Sequence, residues 1–227
     1  MKKIAVSFLM ATSVLTAAKA QKVYIQGGAN FTNISNNKNG GVENNNTLVS
    51  FNAGVMGTFG ISKIIDIETG LLFTGKGSKA ETVFNDNNYV KAKFNPYYIE
   101  LPVNLLVKFP VDKDAHLFIN AGPYAAVGVT GKSKLETKFL GIVSKSENNI
   151  QFNNDDPTTT QQEDASYSKI KRFDYGLNFG GGIALKSLIL KANFGLGLAK
   201  INSTQTNNSD DQKNKYRTIS VSVGIPL

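Results

Sequence analysis

Residues 96–110 read PYYIELPVNLLVKFP, and the alternation within this stretch decides the fold. In an extended chain, successive side chains point to opposite faces, so positions two apart share a face. One face of this stretch is aliphatic and both starts and finishes with an aromatic ring, Tyr97 and Phe109. The other face carries a carboxylate, an amide and an ammonium group, on Glu100, Asn104 and Lys108. A helix would mix the two sets, whereas rings at both ends of an apolar face are typical of a strand that crosses a bilayer.

Seven further segments of about ten residues alternate in the same way, which is the length that a tilted transmembrane strand requires. They cover residues 23–31, 50–59, 65–74, 116–129, 173–185, 188–198 and 216–225. The connections after the first, third, fifth and seventh strands are long and polar, while the other three are short. The sequence therefore predicts an all-β fold, an eight-stranded antiparallel transmembrane β-barrel. It is an up-and-down meander with short periplasmic turns, long external loops and both termini in the periplasm.

The N-terminus and the composition indicate an exported chain of one domain. Two lysines precede an apolar run, and Ala18-Lys19-Ala20 has the small-x-small pattern of a cleavage site. We expect residues 1–20 to be a cleaved signal peptide and residues 21–227 to form the barrel. No cysteine is present, so disulfides and thiolate metal sites are excluded. The formal charge of +8 favours the phosphates of lipopolysaccharide over nucleic acid as the partner of an exported protein.

Polar side chains on the non-lipid face of the strands are the candidate site residues. An eight-stranded barrel has a lumen that side chains just fill, so no diffusive pore is expected. Unpaired charges there would be costly, and we predict a structural network of ion pairs and hydrogen bonds, with a proton or ion relay as the alternative. The predicted lumen network consists of Asp66, Glu68, Glu100, Asn104, Lys108, Asp174, Asn178 and Lys191.

Two motifs that resemble catalytic or nucleotide-binding elements do not carry that chemistry. Residues 70–77, GLLFTGKG, nearly match a phosphate-binding loop, but Gly77 replaces the required Ser or Thr and no helical pattern follows. His116 is the only histidine, and the prediction places it at the periplasmic end without a nucleophile beside it. We therefore predict no catalytic residue, no metal site, no cofactor and no enzymatic activity.

Three elements resemble a known family. They are residues 97–103, YYIELPV, residues 121–124, AGPY, and residues 174–177, DYGL, with the glycines at 180–182. Together they resemble the PorT-like outer-membrane β-barrel family of the Bacteroidota, and the likeness spans most of the mature chain. The resemblance implies an eight-stranded barrel without a catalytic motif, and a few members of that family are tied to secretion. The chain departs from barrel assembly signals at its last residue, Leu227, where an aromatic is usual.

The expected function is that of a non-enzymatic outer-membrane barrel with a structural role or a surface-contact role through its external loops. Its expected partners are outer-membrane lipid, lipopolysaccharide at a basic rim, and an envelope or surface protein that the loops contact; we expect one copy per barrel. One alternative is an accessory component of a secretion system. Another is a soluble exported barrel, similar to lipocalins, that holds an apolar ligand inside. That fold would turn the aliphatic row inward, so the direction of the row separates the two architectures.

Overall fold

A computed structural model describes residues 21–35, 47–85, 87–153, 169–201 and 214–227. The predicted signal peptide lies outside these residues. The described part contains twelve strands: β1 (Gln21–Ser35), β2 (Leu48–Gly60), β3 (Ile65–Gly75), β4 (Ser78–Asn85), β5 (Asn88–Asp112), β6 (Ala115–Phe139), β7 (Ile142–Asn149), β8 (Gln151–Phe152), β9 (Lys169–Ile170), β10 (Phe173–Ala184), β11 (Ile189–Gly197) and β12 (Lys215–Pro226). In this part of the chain no helix is long and apolar enough to cross a membrane.

Eight of the strands close into an antiparallel ring. The order around the ring is β5, β3, β2, β1, β12, β11, β10 and β6, and β6 pairs with β5 to complete it. The first and last ring strands, β1 and β12, pair over twelve positions from Tyr24 to Ser35, which removes the open edges that a lipid environment would leave unsatisfied. The predicted eight-stranded meander is confirmed. In this ring of eight strands, β11 is the fourth strand from β3 whichever way the ring is followed. The two strands therefore face each other across the barrel.

The two faces of each ring strand differ in exposure as the alternation predicts. Along β5, Leu101, Val103 and Leu105 are 44–49% exposed, whereas Glu100 and Asn104 are buried inside the ring. The aliphatic row therefore points outward, and the lipocalin-like alternative is wrong because it required this row to line the interior. From Tyr97 to Phe109 the strand rises about 40 Å, which a tilt of about 40° reduces to about 30 Å, the thickness of a bilayer core.

The barrel has a loop end, where the long connections lie, and a turn end, where the short ones lie. At the loop end, Tyr97 stacks on Phe73 with ring centroids 5.1 Å apart, and Phe51 packs against both rings. These rings stand on the outward face at the height where aromatic side chains usually meet the membrane interface. At the turn end, Leu185 N donates to Leu188 O at 2.7 Å, which closes the short turn between β10 and β11.

A four-stranded sheet rises beyond the loop end, and it corrects the prediction of a polar loop over residues 75–95. We call it the extension; it consists of β4, residues 88–96 of β5, residues 131–139 of β6, and β7, in the order β4-β5-β6-β7. The long connection over residues 132–172, whose fold the sequence does not specify, contains β7, β8, β9 and the upper part of β6. A bulge between Tyr97 and Tyr98 marks the level at which the barrel passes into the extension.

Apolar side chains close the lumen at both ends. The loop-end cluster contains nine buried residues, among them Tyr98, Tyr216 and Ile170, and Phe152 packs against it from the short strand β8. The turn-end cluster is smaller and joins Leu106 and Phe118 to Ala184 and Ile189. In the part of the chain that the structure describes, the polar interior therefore lies between two apolar seals.

Candidate functional site

The structure places all eight predicted lumen residues inside the ring. Asp66, Glu68, Glu100, Asn104, Asp174, Asn178 and Lys191 are at most 9% exposed. Lys108 lies nearer the turn end, where its side chain is 20% exposed and its ammonium group stands 2.6 Å from Asp66 Oδ1. The charged members do not form one cluster. They separate into three groups at different heights, and two of these groups are deeply buried.

The upper group is built around Lys76, which lies outside the predicted strands. Its ammonium group lies 2.8 Å from Glu100 Oε2 and 2.7 Å from Asp174 Oδ2. The same ammonium lies 4.0 Å from the ring centroid of Tyr124, whose hydroxyl donates to Asp174 at 3.1 Å. Asn178 completes the group with a bond of 3.4 Å to Glu100 Oε1. A single cation thus neutralises two carboxylates only in part.

The middle group crosses the barrel. Lys191 on β11 forms an ion pair with Glu68 on β3, and both side chains are almost fully buried. Glu68 also accepts a bond of 3.0 Å from Asn104 Nδ2 and one of 2.8 Å from the Tyr24 hydroxyl. Three donors therefore satisfy this carboxylate, as a charge out of reach of water requires.

The position of Lys76 follows from a turn that only glycine permits. Gly77 has a φ of +147°, and a Cβ atom there would stand 2.0 Å from the backbone oxygen of Phe94. Thr32 holds this turn, since its hydroxyl bonds to both the nitrogen and the oxygen of Gly77, at 2.8 and 2.9 Å. The signal was present in the sequence: Asp66, Glu68 and Thr74 occupy even positions of β3, and Lys76 continues that parity into the lumen.

The extension separates its charges onto one face. Residues paired directly across neighbouring strands share a face, so the pairing of β4 to β7 sorts the side chains. All charged residues of the described extension fall on the side that continues the outward face of the barrel, and together they carry four net positive charges. They are Lys79, Glu81, Lys91, Lys93, Lys132, Lys134, Glu136, Lys138, Lys145 and Glu147.

Three of these lysines stand opposite one another in adjacent strands. Lys79 pairs with Lys93, and Lys93 pairs with Lys134 on its other side. We call these residues the lysine row. Like charges directly opposite across strands are destabilising, so the arrangement favours an anion in front of it. Lys93 lies four residues beyond the aromatic ring of Tyr97, about 14 Å along the strand.

Acidic side chains form ion pairs with several lysines of this face. Glu147 accepts from Lys132 and Lys134, with a distance of 2.6 Å to Lys134, and these hydrogen bonds lower the pKa of Glu147 to about 2. The Tyr89 hydroxyl donates to Glu136 at 2.6 Å; this bond raises the pKa of Tyr89 and lowers that of Glu136. Within the lysine row, only Lys134 has an acidic partner among the described residues.

The tip of the extension is apolar and strained. Leu140 and Gly141 form the two-residue turn between β6 and β7, with φ values of +48° and +83°. Leu140 is 75% exposed in a backbone conformation that costs an L side chain about 1–2 kcal/mol. Asn88 on the neighbouring hairpin accepts a bond of 2.9 Å from Leu140 N, so the two hairpin ends are joined. Further large apolar side chains are exposed at this tip, namely Val83, Phe84, Phe139, Ile142 and Val143.

Ail and Neisserial surface protein A are two of the proteins whose solved structures are similar to this chain. Ail, the attachment invasion locus protein of Yersinia pestis, is 11% identical, with a TM-score of 0.42 over 91% of this chain and 98% of Ail. Its complex with the heparin analogue sucrose octasulfate gives a TM-score of 0.41 at 11% identity over 91% and 99% of the two chains. Neisserial surface protein A is 11% identical, with a TM-score of 0.39 over 92% of this chain and 100% of the other.

No curated protein sequence matches the chain. The family model described as "Outer membrane protein beta-barrel domain" matches residues 19–203, most of the chain, and that span contains β1 to β11 and both buried charge groups. The closed ring, its outward aliphatic rows and this match agree, and the chain belongs to the outer membrane protein beta-barrel domain family.

Proposed function

We propose that this protein is a non-enzymatic outer-membrane barrel that engages the phosphates of outer-leaflet lipopolysaccharide through the lysine row. The single observation that carries the proposal is the row itself, because Lys79, Lys93 and Lys134 stand side by side although their mutual repulsion opposes the fold. Its face continues the lipid-facing side of the barrel just beyond the aromatic rings. Phosphate groups of a surrounding lipid lie at that level.

The proposal includes an orientation and a processing step. The loop end faces the exterior, the termini lie in the periplasm, and residues 1–20 direct export and are removed. The lumen network keeps the barrel closed and fixes its register, and one chain forms one barrel. Membership of the PorT-like family of the Bacteroidota is part of the same proposal, supported by the YYIELPV stretch at residues 97–103.

Lipid A titration of the refolded barrel tests the lysine row. Lipid A and the same lipid without its phosphates are added to the protein in detergent, and binding is followed by native mass spectrometry. Each lysine near an anionic surface contributes about 1 kcal/mol, so the triple variant K79Q/K93Q/K134Q is expected to bind phosphorylated lipid A about a hundredfold more weakly.

A matched control removes the same charge elsewhere. K63Q/K113Q/K186Q changes three exposed lysines at the turn end and should bind as the unmodified protein does. Equal weakening in both triple variants would show a general charge effect. That result, or equal binding of the lipid without phosphates, would rule out the lysine row as a phosphate site.

The apolar tip of the extension favours a second candidate, an accessory subunit that contacts an envelope protein. Leu140 and Ile142 are 75% and 76% exposed, and Leu140 has a strained backbone conformation in the turn between β6 and β7. Strained backbone of this kind is typical of functional positions. A photo-crosslinking residue at position 140 would trap a partner protein in intact cells, whereas the same residue at position 113 in a turn-end connection would not. Identical products from both positions, or none from position 140, would reject this candidate.

A further inference from the structure

The lumen encloses a polar cavity between the Lys76 group and the Glu68–Lys191 pair. Its volume of about 40 Å³ is that of a few water molecules. Glu100 lines it from above and Lys191 from below. Four residues that line it have a buried oxygen atom without a hydrogen-bond partner in the described part of the chain, namely Gln26 Oε1, Asn104 Oδ1, Asn193 Oδ1 and Thr218 Oγ1. Of these, Asn193 Oδ1 lies against Gly180 of the neighbouring strand.

The orientation of the Gln26 amide is forced by a chain of partners. The Asn30 amide nitrogen donates to the backbone oxygen of Gly75 at 3.0 Å, and a carbonyl can only accept. Asn30 Oδ1 is therefore the acceptor for Asn52 Nδ2, at 2.6 Å, and Asn52 Oδ1 is the acceptor for Gln26 Nε2, at 3.2 Å. The remaining polar atom of the Gln26 side chain is therefore its oxygen, Oε1. Gln26 lines the cavity and is 4% exposed.

The Asn104 amide is fixed in the same way. Its nitrogen donates to Glu68 Oε1 at 3.0 Å, and because an ionised carboxylate only accepts, the outer atom must be an oxygen. Asn104 is 1% exposed and lines the cavity. Two deeply buried amides thus present acceptor oxygens, and neither can rotate to offer a donor without losing an existing bond.

Among the described residues, the buried charges of the lumen do not balance. Four carboxylates, those of Asp66, Glu68, Glu100 and Asp174, face three ammonium groups, those of Lys76, Lys108 and Lys191. Asp66 pairs with Lys108 and Glu68 pairs with Lys191, so each of these carboxylates has its own ammonium group. The surplus negative charge therefore belongs to the Lys76 group. An uncompensated charge in a membrane interior is strongly unfavourable.

A proton on either carboxylate of that group would have to displace or reverse a donor that the carboxylate now accepts from. Both oxygens of Glu100 already accept, from Lys76 at 2.8 Å and from Asn178 at 3.4 Å. Asp174 Oδ2 accepts from Lys76 and Tyr124, and its Oδ1 has no partner in the described residues to which a proton could be donated. Water in the cavity would satisfy the amide oxygens and leave the charge unchanged.

We propose that the cavity binds one monovalent metal cation, Na⁺ or K⁺, held by the carboxylate of Glu100 and the amide oxygens of Gln26 and Asn104. Hard cations prefer such oxygen ligands, and neutral oxygens suit a single charge. The ion neutralises the surplus negative charge of the Lys76 group and also binds the amide oxygens that lack a hydrogen-bond donor. The loop-end and turn-end clusters trap it once the barrel has folded.

Refolding in defined salts tests the site. The barrel is refolded in an equimolar mixture of NaCl, KCl and RbCl, passed into choline chloride, and the metals retained per protein are counted by elemental analysis. We expect one monovalent cation per barrel, which is released when the protein is heated to unfolding. Refolding in choline chloride alone should lower the melting temperature.

Two variants and one control separate the outcomes. Glu100→Gln removes the surplus charge and should retain less than a tenth of a cation per barrel, and Gln26→Leu, which removes an amide ligand, should do the same. Glu81→Gln makes the same charge change on the extension and should retain the full ion. Absence of a bound metal in the unmodified barrel would overturn the proposal. So would equal retention in Glu100→Gln, or a protonated-carboxyl infrared band that this variant loses.

Discussion

Lys191 and Glu68 form an ion pair between the two strands that face each other across the barrel, although 123 residues separate them in the chain. The pair joins β11 to β3 through the middle of the lumen, where neither strand contacts the other through backbone bonds. It therefore fixes the width of the ring at its centre. Asn104 and Tyr24 hold the Glu68 carboxylate from two further strands, β5 and β1.

Removal of one member of this pair should destabilise the barrel far more than removal of both. Lys191→Met leaves Glu68 buried and uncompensated, which costs about 3–5 kcal/mol, whereas Lys191→Met with Glu68→Gln leaves no charge behind and should recover most of that loss. Urea unfolding in lipid vesicles measures the free energies. A double variant that is as unstable as the sum of its single variants would show that the two residues are not coupled.

The ion pair of Lys108 and Asp66, which is less deeply buried, provides a comparison. Its side chains are 20% and 11% exposed at the turn end, so water compensates part of the charge that Lys108→Met leaves. We expect a smaller loss there than at Lys191. Losses of equal size would mean that depth in the lumen does not govern the cost.

The outward aliphatic row should tolerate charge only near its ends. Val103 lies midway between Tyr97 and Phe109, and Val103→Arg should cost about 2–4 kcal/mol because the guanidinium enters the centre of the hydrocarbon. Val111, beyond Phe109, is 64% exposed at the turn end, and Val111→Arg should cost about 0–1 kcal/mol. Unfolding in vesicles provides both values. Equal costs at the two positions would argue against a membrane around this face.

The barrel itself was predictable because apolar side chains on its lipid face alternate with polar side chains on its lumen face along each strand. Leu101 and Val103 face outward and are apolar, whereas Glu100, next to Leu101 in the chain, faces the lumen and is charged. This alternation with a period of two residues can be read from a short stretch of sequence. In the extension Lys91 and Lys93 alternate with Val90 and Ala92 in the same way, but these residues lie beyond the length that a bilayer crossing requires, and the sequence therefore predicts a loop there. Partners across the lumen were not predictable either, because they depend on how the closed ring aligns β3 with β11.

The strained turn at the tip should be easy to stabilise. Leu140→Asn places Asn-Gly in a two-residue turn with positive φ at both positions, the sequence that such turns prefer. We expect the β6–β7 hairpin to gain about 1 kcal/mol, seen as slower amide exchange of the paired residues. Gly141→Ala, at φ +83°, should have the opposite effect. Faster exchange in Leu140→Asn would contradict the turn assignment.

Acid should weaken the outer edge of the extension. The pKa of Glu147 is lowered from its usual 4.5 to about 2 by hydrogen bonds from Lys132 and Lys134. A lowered pKa means that the carboxylate stabilises the fold above pH 4.5 and that this contribution is lost as the pH falls through about 2. The protection factors of the β7 amides, which correct for the intrinsic pH dependence of exchange, should fall over that interval in the unmodified protein. Glu147→Gln should remove this pH dependence, and an unchanged profile in the variant would assign it to other groups.

Side-specific labelling tests the central claim, a barrel whose extension stands outside the cell. The chain has no cysteine, so single cysteines can be introduced at Thr82 in the extension and at Ser187 in the turn between β10 and β11. A membrane-impermeant maleimide should label Thr82→Cys in intact cells, and Ser187→Cys only after the outer membrane is permeabilised. Labelling of Ser187→Cys alone in intact cells, or equal labelling of both before permeabilisation, would contradict the account.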